Sequence, residues 1–515
     1  MRRFRLRRLV VAFSLANLCC LNPWIVLLMD PCLGYLRPRP PERLDYAALA
    51  ALVALLGLLF LAADRLAMRL GPARAGSLRS AGLLAAALFV LNGVRLLHPG
   101  RFGLNVLVNA YGTAAVAAAL LIGALGIAVL LRRRLKAAVA AALFAVQILS
   151  PLLPLFLAMA AVRALAAPGA WPERRPAPLH SPARNDRRVI VLVFDEMDQA
   201  QAFTARDPAL RLPELDRFRA ASLYATNAYP PAGRTLEAMP SLINGRIVAD
   251  VRFAGPADIL LRYEGTGRHV SWTGEMNLFR ELHAEGFNSA LSGWFHPYPR
   301  VLDGPAYCRW HPMTAAASGP LGDRLWRQGI DLLGLLPGAR LIHGSRAADP
   351  LSHLRNFRRM REEALALARD RRFNLVFLHW PIPHPPDIFD RALGRLVERG
   401  GAGGYADNLA LADRTLGELR RAMSAGGMWD ESAVIVTSDH WRRMVPNVHF
   451  RVPFLVKLGG RQPGRTFAGE FNTVILRDLV RDLLHGRIAG VEGLAAWLGG
   501  RGSRRGIGYY RKMKI

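Results

Sequence analysis

Five apolar stretches in the first third of the chain constrain its fold more than any other feature. All of them end before residue 165, and each is near or above the roughly 17 to 25 residues that an α-helix needs to cross a bilayer. A cleaved signal peptide would account only for the first, and no small-residue cleavage site follows it. The sequence predicts a transmembrane domain over residues 1–165, with helices near 9–29, 46–63, 81–97, 104–131 and 137–162.

Basic residues between these stretches predict the orientation of the chain. They cluster before the first stretch, between the second and third, and between the fourth and fifth. The positive-inside rule makes these three segments cytoplasmic. Because five is an odd number of crossings, everything after residue 162 is expected on the other side. The sequence thus predicts a multi-pass membrane protein with a cytoplasmic N-terminus and the rest of the chain after residue 162 on the opposite side.

The net charge of +29 does not indicate nucleic-acid binding. About half of it lies in the first 150 residues, where it follows the membrane topology, and the rest is arginine spread through the soluble region without interleaved aromatic residues. Nucleic acid is therefore not an expected partner. Residues 499–515 form a basic tail, which is either solvated or held at an anionic membrane surface.

After a Pro- and Arg-rich linker at residues 166–187, the pattern becomes that of a layered α/β domain. Short apolar runs rich in β-branched residues, typical of buried strands in a parallel sheet, occupy residues 188–194, 373–379, 432–438 and 450–458. Helical patterns alternate with them at residues 351–370, 406–425 and 472–484. The sequence predicts a catalytic α/β domain over residues 188–498, with helices on both faces of its sheet.

Acids and histidines stand at the ends of three of these runs. In such sheets the ligand crevice lies beyond the carboxyl ends of the strands. Carboxylates and imidazoles together suit Zn²⁺ or Mn²⁺, with Mg²⁺ or Ca²⁺ less favoured. Each residue taken singly is as readily a loop residue or a helix cap, and it is their joint placement that predicts a divalent metal site. The residues are Asp195 and Glu196, then His379 followed by His384, and Asp439 with His440.

The stretch GRTLEAMPSLINGR, residues 233–246, offers a hydroxyl nucleophile. Thr235 stands at the start of a predicted helix that Pro240 interrupts. Taken locally, its hydroxyl is expected to cap the helix, because a threonine oxygen at a helix start accepts an orphan backbone N–H. The alternative is a catalytic hydroxyl. The two roles are compatible, because a helix N-terminus also stabilises a developing anion.

Several ordered motifs of the soluble region resemble the alkaline phosphatase and sulfatase superfamily. They are LPELDRFRAASLYATNAY (212–229), ELHAEGFNSALSGWFH (281–296), RRFNLVFLHWPIPHPP (371–386) and YADNLALADRTLGELRRAMSAGGMWDESAVIVTSDH (405–440). The resemblance implies a sulfatase-like α/β/α domain with a mixed, mostly parallel central sheet. It also implies that the divalent metal is held by Asp195, Glu196, Asp439 and His440, together with Thr235.

The same resemblance places Thr235 at the position of the sulfatase nucleophile. Matching the final Gly-Arg of the sulfatase motif C-S-P-S-R-x-x-L-L-T-G-R to Gly245 and Arg246 aligns Thr235 with the cysteine that becomes formylglycine. That oxidation requires C/S-x-P-x-R, but here Glu237 and Met239 occupy the proline and arginine positions. No formylglycine is therefore expected, and the nucleophile is an unmodified threonine.

A threonine nucleophile and five N-terminal spans are features of the superfamily's membrane phosphotransferases. The resemblance thus implies a bacterial inner-membrane protein whose catalytic domain is periplasmic or extracellular. The resemblance implies that this chain moves a phospholipid head group, of the phosphoethanolamine or phosphoglycerol type, to an envelope glycan or lipid through a phospho-threonine intermediate. Its acid pair, in FDEMD, is closer to the sulfatase Asp-Asp, whereas Trp294 stands where sulfatases carry lysine. One alternative is a membrane-anchored hydrolase of phosphate or sulfate esters. The other is a non-catalytic membrane scaffold that keeps the fold.

Further residues complete the predicted site. His384, His296 and His379 are the candidate groups to protonate the leaving oxygen or hold the phosphoryl oxygens. Arg234, Arg246 and His449 are candidate substrate-binding residues, although a structural salt bridge explains either arginine as well.

Cysteines add little to the prediction. Cys308 is the one cysteine of the soluble region, and its pairing with Cys32, just beyond the first span, has no further support in the sequence. Nothing in the sequence predicts an oligomeric state.

Overall fold

The apolar helices and the sheet belong to different units of the chain. The computed structural model describes residues 2–29, 31–69, 82–83, 86–87, 89–90, 118–119, 122–123, 135–167, 169–313, 319–333, 350–398, 403–443 and 449–501. One unit comprises Met1–Asp30, Arg39–Ala170 and Ala316–Arg346. The other comprises Pro31–Pro38, Trp171–Ala315 and Ala347–Ile515.

The described elements are numbered in chain order. The helices are α1 (Arg2–Cys19), α2 (Leu21–Leu28), α3 (Pro31–Leu36), α4 (Arg43–Arg69), α5 (Leu135–Ile148), α6 (Leu152–Ala166), α7 (Pro213–Ala220), α8 (Thr235–Asn244), α9 (Leu278–Ala284), α10 (Tyr298–Val301), α11 (Leu321–Leu333), α12 (Pro350–Arg369), α13 (Tyr405–Ser424), α14 (Met428–Glu431), α15 (Leu476–Leu484) and α16 (Gly490–Arg501). The strands are β1 (Val189–Asp195), β2 (Leu223–Ala225), β3 (Ala228–Tyr229), β4 (Val248–Gly255), β5 (Asp258–Tyr263), β6 (Val270–Ser271), β7 (Ser289–Trp294), β8 (Tyr307–His311), β9 (Leu375–Pro383), β10 (Phe389–Asp390), β11 (Arg395–Leu396), β12 (Ala433–Ser438), β13 (Phe454–Lys457), β14 (Arg465–Phe467) and β15 (Phe471–Asn472).

Two helices among the described residues are long and apolar enough to cross a membrane. They are Arg43–Arg69 and Val139–Ala166, and the α1–α2 pair, bent by 58°, makes a third if it forms one span. These correspond to the predicted spans at 46–63, 137–162 and 9–29. The predicted spans at 81–97 and 104–131 lie almost wholly outside the described residues. The structure therefore supports two or three spans.

The amphipathic helix α11 is part of this helical unit, although the sequence assigned it to the catalytic domain. Its Arg324 side chain is buried, and the guanidinium donates to Asp45 Oδ1 at 2.7 Å and to Glu42 Oε2 at 2.5 Å. Leu332, later in the same helix, packs in an apolar cluster with Leu52. Charge pairing and apolar packing together hold α11 beside α4.

An eight-stranded sheet forms the centre of the second unit. Its strand order is β14-β2-β13-β12-β1-β9-β7-β8. β1 lies parallel to both of its neighbours, and β7 and β8 continue the parallel part. β13, the strand inside the predicted run 450–458, is antiparallel to β12 and β2. The predicted mixed, mostly parallel sheet is confirmed.

Helices cover both faces of the sheet, because its strands are apolar on both sides. Every residue of β1 is buried. Since successive side chains of a strand point to opposite faces, Val191 packs in one core layer with Met239 of α8, and Leu192 packs in the other with Phe357 of α12 and Leu409 of α13. The near-continuous apolar run that predicted a buried strand follows from this two-sided burial.

Two local features differ from the sequence prediction. β9 continues four residues beyond the predicted run, to Pro383, so His379 lies within the strand and not at its end. Residues 171–187, predicted as a linker, carry neither helix nor strand but are bound to the sheet unit: Arg174 N donates to Pro299 O at 2.6 Å, and Ala177 N donates to Pro305 O at 3.0 Å.

Candidate metal and nucleophile site

Helix α8 brings Thr235 to the carboxyl edge of the sheet. Thr235 is its first residue, after Arg234 in an extended conformation, and the helix ends at Gly245 with a φ of 68°, the left-handed geometry that glycine adopts without strain. The Thr235 hydroxyl makes no capping bond. It donates to Asp195 Oδ2 at 3.1 Å and lies 3.2 Å from His440 Nε2. The hydroxyl is therefore directed at the site and not at an orphan amide of its helix.

Asp195, Asp439 and His440 converge beside this hydroxyl. Asp195 ends β1 and the other two residues follow β12, its parallel neighbour, so the sheet register brings them together. One ligand atom from each of the three lies within 4.8 Å of the others, and all three side chains are completely buried.

Each carboxylate in this cluster has one oxygen anchored and one without a partner. Asp195 Oδ2 accepts from Thr235 and from Trp294 Nε1, the latter at 2.9 Å. Asp439 Oδ1 accepts from the backbone amides of His440 at 2.8 Å and Glu196 at 3.3 Å. Asp195 Oδ1 and Asp439 Oδ2 are buried without a hydrogen bond. Buried polar atoms are rarely left in this state unless they bind something further.

The His440 ring is oriented so that a lone pair faces these oxygens. Its Nδ1 lies 2.9 Å from the Trp441 carbonyl, which can only accept, so Nδ1 carries the proton. In the neutral ring, Nε2 then presents a lone pair 3.5 Å from both Asp195 Oδ1 and Asp439 Oδ2. Three electron-rich atoms facing one another in a buried space fit a divalent cation, because an imidazole nitrogen and carboxylate oxygens are its usual ligands.

Burial perturbs the pKa values of all three groups. Burial, followed by the nearby Asp439 and Glu196 charges, raises the pKa of Asp195 well above its ordinary value. Burial raises the pKa of Asp439 to about 6 and lowers that of His440 to about 3. A bound cation would reverse the direction for the carboxylates, since it favours their charged form.

Glu196, the fourth predicted ligand, lies outside this group. Its backbone has a φ of 62°, which is uncommon for a residue with a side chain, and its amide binds Asp439. Its Oε1 accepts from Arg443 Nε at 3.1 Å. The backbone turn at Glu196 thus sends its amide toward the site and its carboxylate to an arginine.

Two of the predicted catalytic histidines form hydrogen bonds with tyrosine hydroxyls. His296 Nδ1 lies 2.8 Å from the Tyr35 hydroxyl, and its Nε2 lies 3.0 Å from the Thr235 carbonyl. His379 Nδ1 lies 2.9 Å from the Tyr298 hydroxyl, while its Nε2 is buried without a hydrogen bond. Burial lowers the pKa of both, so both rings are neutral at neutral pH.

His384, the third predicted catalytic histidine, contacts Asp195 through its backbone. Its backbone amide donates to the Asp195 carbonyl at 3.1 Å, and its ring packs edge-on to Trp294 at 5.1 Å. The Pro385 carbonyl holds the Nδ1 proton, which leaves Nε2 as the nitrogen for proton exchange. Burial lowers its pKa.

The three predicted substrate-binding residues do not join the cluster. Arg234 pairs with Glu237, and Arg246 lies 3.3 Å from Glu275 with its guanidinium over the Tyr263 ring. His449 is exposed and lines a small cavity of about 100 Å³ with Arg451. Cys308 carries a free thiol, and burial raises the pKa of that thiol.

Three residues that shape the site were not among the predicted site residues, although Trp294 stands where sulfatases carry lysine. Trp294 supplies an N–H to Asp195, and Ser438 ties the ends of β1 and β12 by accepting from Met197 N at 2.9 Å and lying 2.6 Å from Phe194 O. Tyr35 comes from a segment some 200 residues upstream of Thr235. The position of Ser438 before the Asp-His pair was a usable signal, whereas nothing in the sequence pointed to Tyr35.

A buried hydroxyl lies here beside three side chains that could hold a divalent cation, and the fold is that of an enzyme of the hydrolase or transferase kind. The family model named Sulfatase matches residues 187–470. That span exceeds half of the chain, and the chain belongs to the sulfatase family, within the superfamily whose members bind a divalent metal. No curated protein matches the chain.

Solved structures match part of the chain at low sequence identity. Ps i-CgsB shares 15% identity over 62% of this chain and 75% of that one, with a TM-score of 0.42. The phosphonate monoester hydrolase of Agrobacterium radiobacter shares 15% identity over 58% and 74%, with a TM-score of 0.37. The lipoteichoic acid synthase LtaP of Listeria monocytogenes shares 13% identity over 59% and 73%, with a TM-score of 0.37. No functional assignment follows from similarity at this level.

Proposed function

We propose that this protein is a metal-dependent membrane phosphotransferase with Thr235 as its nucleophile. The observation that carries the proposal is the Thr235 hydroxyl, unmodified and within hydrogen-bonding distance of both Asp195 and His440. The donor is a membrane phospholipid, and the group moved is its phosphoethanolamine or phosphoglycerol head. The acceptor is a glycan or lipid of the cell envelope.

Asp195, Asp439 and His440, together with Thr235, would hold the divalent cation, and the imidazole favours Zn²⁺ or Mn²⁺ over Mg²⁺ or Ca²⁺. When bound, such a cation lowers the pKa of the threonine hydroxyl and neutralises charge on the transferred group. Glu196 contributes its backbone amide to Asp439 in this arrangement, while its carboxylate stays with Arg443.

In the first displacement, Thr235 Oγ1 forms a bond to phosphorus and the bond from phosphorus to the diacylglycerol oxygen breaks. The threonine proton leaves along its hydrogen bond to Asp195. The departing oxygen takes a proton for which His384 Nε2 is the candidate donor; because the neutral ring carries its proton on Nδ1, Nε2 would first take up a proton from solvent. In the second displacement, the acceptor hydroxyl attacks the phospho-threonine, and Thr235 recovers a proton.

The apolar N-terminal helices support a lipid substrate. A single span would tether an enzyme that acts on soluble esters, so several spans favour a substrate that enters from the bilayer. We retain five spans, an inner-membrane location, a cytoplasmic N-terminus and an external catalytic domain as part of the proposal.

A labelled phospholipid tests the reaction directly. The purified full-length protein, supplied with Zn²⁺ or Mn²⁺ and a phospholipid labelled in its head group, should acquire a covalent adduct of the head-group mass on the peptide containing Thr235. The adduct should be absent in Thr235→Ala and retained in Thr266→Ala, a matched change at a threonine whose hydroxyl binds only its own turn, at Tyr263 O.

Other outcomes favour the alternatives. Turnover of soluble aryl phosphate or sulfate esters with no adduct on Thr235 would assign the protein as a hydrolase. Failure to bind a divalent metal, with Asp439→Ala indistinguishable from the parent protein in every assay, would assign it as a scaffold.

A further inference from the structure

A short segment between the first two apolar helices of the chain is built into the sheet unit. Residues Pro31–Pro38 belong to that unit, although residues on both sides of them belong to the helical one. Tyr35, at the end of α3, is completely buried and lies in the same apolar core as β1 and α8. Its ring packs against Phe253 of β4 at 5.7 Å.

Tyr35 reaches the nucleophile through one intermediate residue. Its hydroxyl lies 2.8 Å from His296 Nδ1, and His296 Nε2 lies 3.0 Å from the backbone carbonyl of Thr235. Both tyrosine and histidine are fully buried, so water does not compete for these bonds. Two hydrogen bonds thus connect residue 35 to the first residue of α8.

The direction of both bonds is fixed by the last acceptor. A carbonyl oxygen can only accept, so His296 Nε2 carries a proton and donates it to Thr235 O. In the neutral ring, Nδ1 then accepts from the Tyr35 hydroxyl. With both nitrogens used, the ring has a fixed tautomer and a fixed plane, and it is not placed to exchange protons with a substrate.

Arg300 holds the segment in place. Its buried guanidinium lies over the Trp310 ring and donates to the carbonyls of Tyr35 at 3.3 Å, Arg37 at 2.7 Å and Pro38 at 3.0 Å. Because one side chain binds three carbonyls of this short segment, it fixes the backbone conformation of the segment.

We propose that Tyr35 is a positioning residue for the nucleophile: through His296 it holds the Thr235 carbonyl, and with it the first turn of α8, at the place from which the hydroxyl attacks. The inference rests on the proposed role of Thr235. The segment 31–38 then contributes to the active site, although it lies outside residues 187–470, which the Sulfatase model matches.

The test removes the hydroxyl and keeps the ring. Tyr35→Phe should lower kcat for adduct formation on Thr235 about tenfold, because small misplacements of a nucleophile are costly, and should leave the KM for phospholipid within about twofold. Tyr263→Phe is the matched control, since that buried hydroxyl binds Asn244 at the opposite end of the same helix. It should leave kcat unchanged.

A second variant shows whether Tyr35 acts through His296. A leucine at position 296 has neither the N–H that binds the Thr235 carbonyl nor the nitrogen that accepts from Tyr35. In the His296→Leu background, Tyr35→Phe should therefore change kcat by less than about twofold. Independent, multiplicative effects of the two changes would overturn the inference.

Amide hydrogen exchange tests the positioning role of Tyr35 without requiring the protein to be active. Amides of residues 233–239 should exchange several-fold faster in Tyr35→Phe than in the parent protein, and at the parent rate in Tyr263→Phe. Unchanged exchange in Tyr35→Phe overturns the inference, as does unchanged kcat in an enzyme that forms the adduct. If the parent protein forms no adduct, the proposed function fails, and the exchange result alone then supports or overturns the role of Tyr35.

Discussion

At the residue scale, the distinguishing feature of the site is that two of its carboxylate oxygens have no hydrogen-bond partner. One oxygen of Asp195 and one of Asp439 are fixed by hydrogen bonds, and the other two are buried without partners beside the His440 lone pair. Leaving a buried polar atom unpaired costs about 1–3 kcal/mol, and more for a charged group. The fold accepts this cost twice in one place, which is the expected signature of a site that is completed by a cation.

Trp294 orients one of these carboxylates, and its removal should weaken metal binding. Trp294→Phe keeps the aromatic ring but removes the N–H that Asp195 Oδ2 accepts at 2.9 Å. Loss of an outer hydrogen bond to a metal ligand should lower the affinity for Zn²⁺ or Mn²⁺ about tenfold, measured by calorimetric titration of the metal-free protein.

Trp310→Phe is the matched control for this change, because that indole N–H binds the Phe295 carbonyl and not a site carboxylate. Equal affinities in the two variants would show that the Trp294 bond does not orient the ligand.

The positions of strand ends in the sequence predicted which side chains would meet, but not where each one would point. Asp195, Asp439 and His440 follow neighbouring parallel strands, so their meeting follows from topology alone. Side-chain direction is a different matter. The positive φ of Glu196 turns its carboxylate toward Arg443, and no pattern in FDEMD shows that turn. The roles of Tyr35 and Trp294 depend on contacts across 261 and 99 residues, which periodicity does not reveal.

At the element scale, the buried carboxylate of Asp413 joins helices α7 and α13, which pack in the core layer opposite the layer that contains α8. Asp413 of α13 is buried, and its Oδ1 accepts from the backbone amide of Leu215 in the first turn of α7 at 2.7 Å. Burial raises its pKa from the ordinary 3.8 to about 7, although the bond to Leu215 opposes this change. The helix contact is therefore made by a group that the protein interior prefers to keep neutral.

This junction should make stability fall as the pH rises through a defined window. Between about pH 4 and pH 7 the folded state holds a proton on Asp413 that the unfolded state has lost, so the free energy of unfolding decreases with rising pH. Asp413→Asn keeps the acceptor for Leu215 and removes the charge. It should stabilise the protein at pH 8, by on the order of 2–4 kcal/mol, and have little effect at pH 4. Thermal unfolding followed by intrinsic fluorescence measures the difference.

A neighbouring aspartate provides a control of opposite sign. A hydrogen bond from Arg206 lowers the pKa of Asp216, so its charge stabilises the folded state above the ordinary pKa and this contribution is lost as the pH falls. Asp216→Asn should lower the unfolding midpoint at pH 8. A destabilising Asp413→Asn at pH 8 would contradict the account of the junction.

Elements were predictable where burial dictates composition. The runs that became β1, β9 and β12 are apolar on both faces, and helices α12 and α13 have clear periodicity, so their types follow from the sequence. Strands such as β2 and β14 have three residues each and carry too little pattern to detect. Helix α11 has a strong amphipathic pattern, but the pattern does not say which unit it packs against.

At the scale of the whole molecule, the proposed orientation has a direct consequence for reporter fusions. An alkaline phosphatase reporter, which is active only outside the cytoplasm, should be active when fused after residue 501 and inactive when fused after residue 69, at the end of α4. A cytoplasmic reporter such as green fluorescent protein should give the reverse pattern. An active phosphatase after residue 69 would contradict the assignment of the basic segment that follows α4 to the cytoplasm.

The short segment around Tyr35 also bears on how such a protein can be rearranged. It is synthesised before the first strand of the sheet and is separated from its partner His296 by 261 residues. A gene fragment that begins at the first strand would encode all of the sheet but lack Tyr35 and Leu36, which are buried in its core. Grafting this sheet unit onto another membrane anchor would therefore require residues 31–38 to be carried along with it.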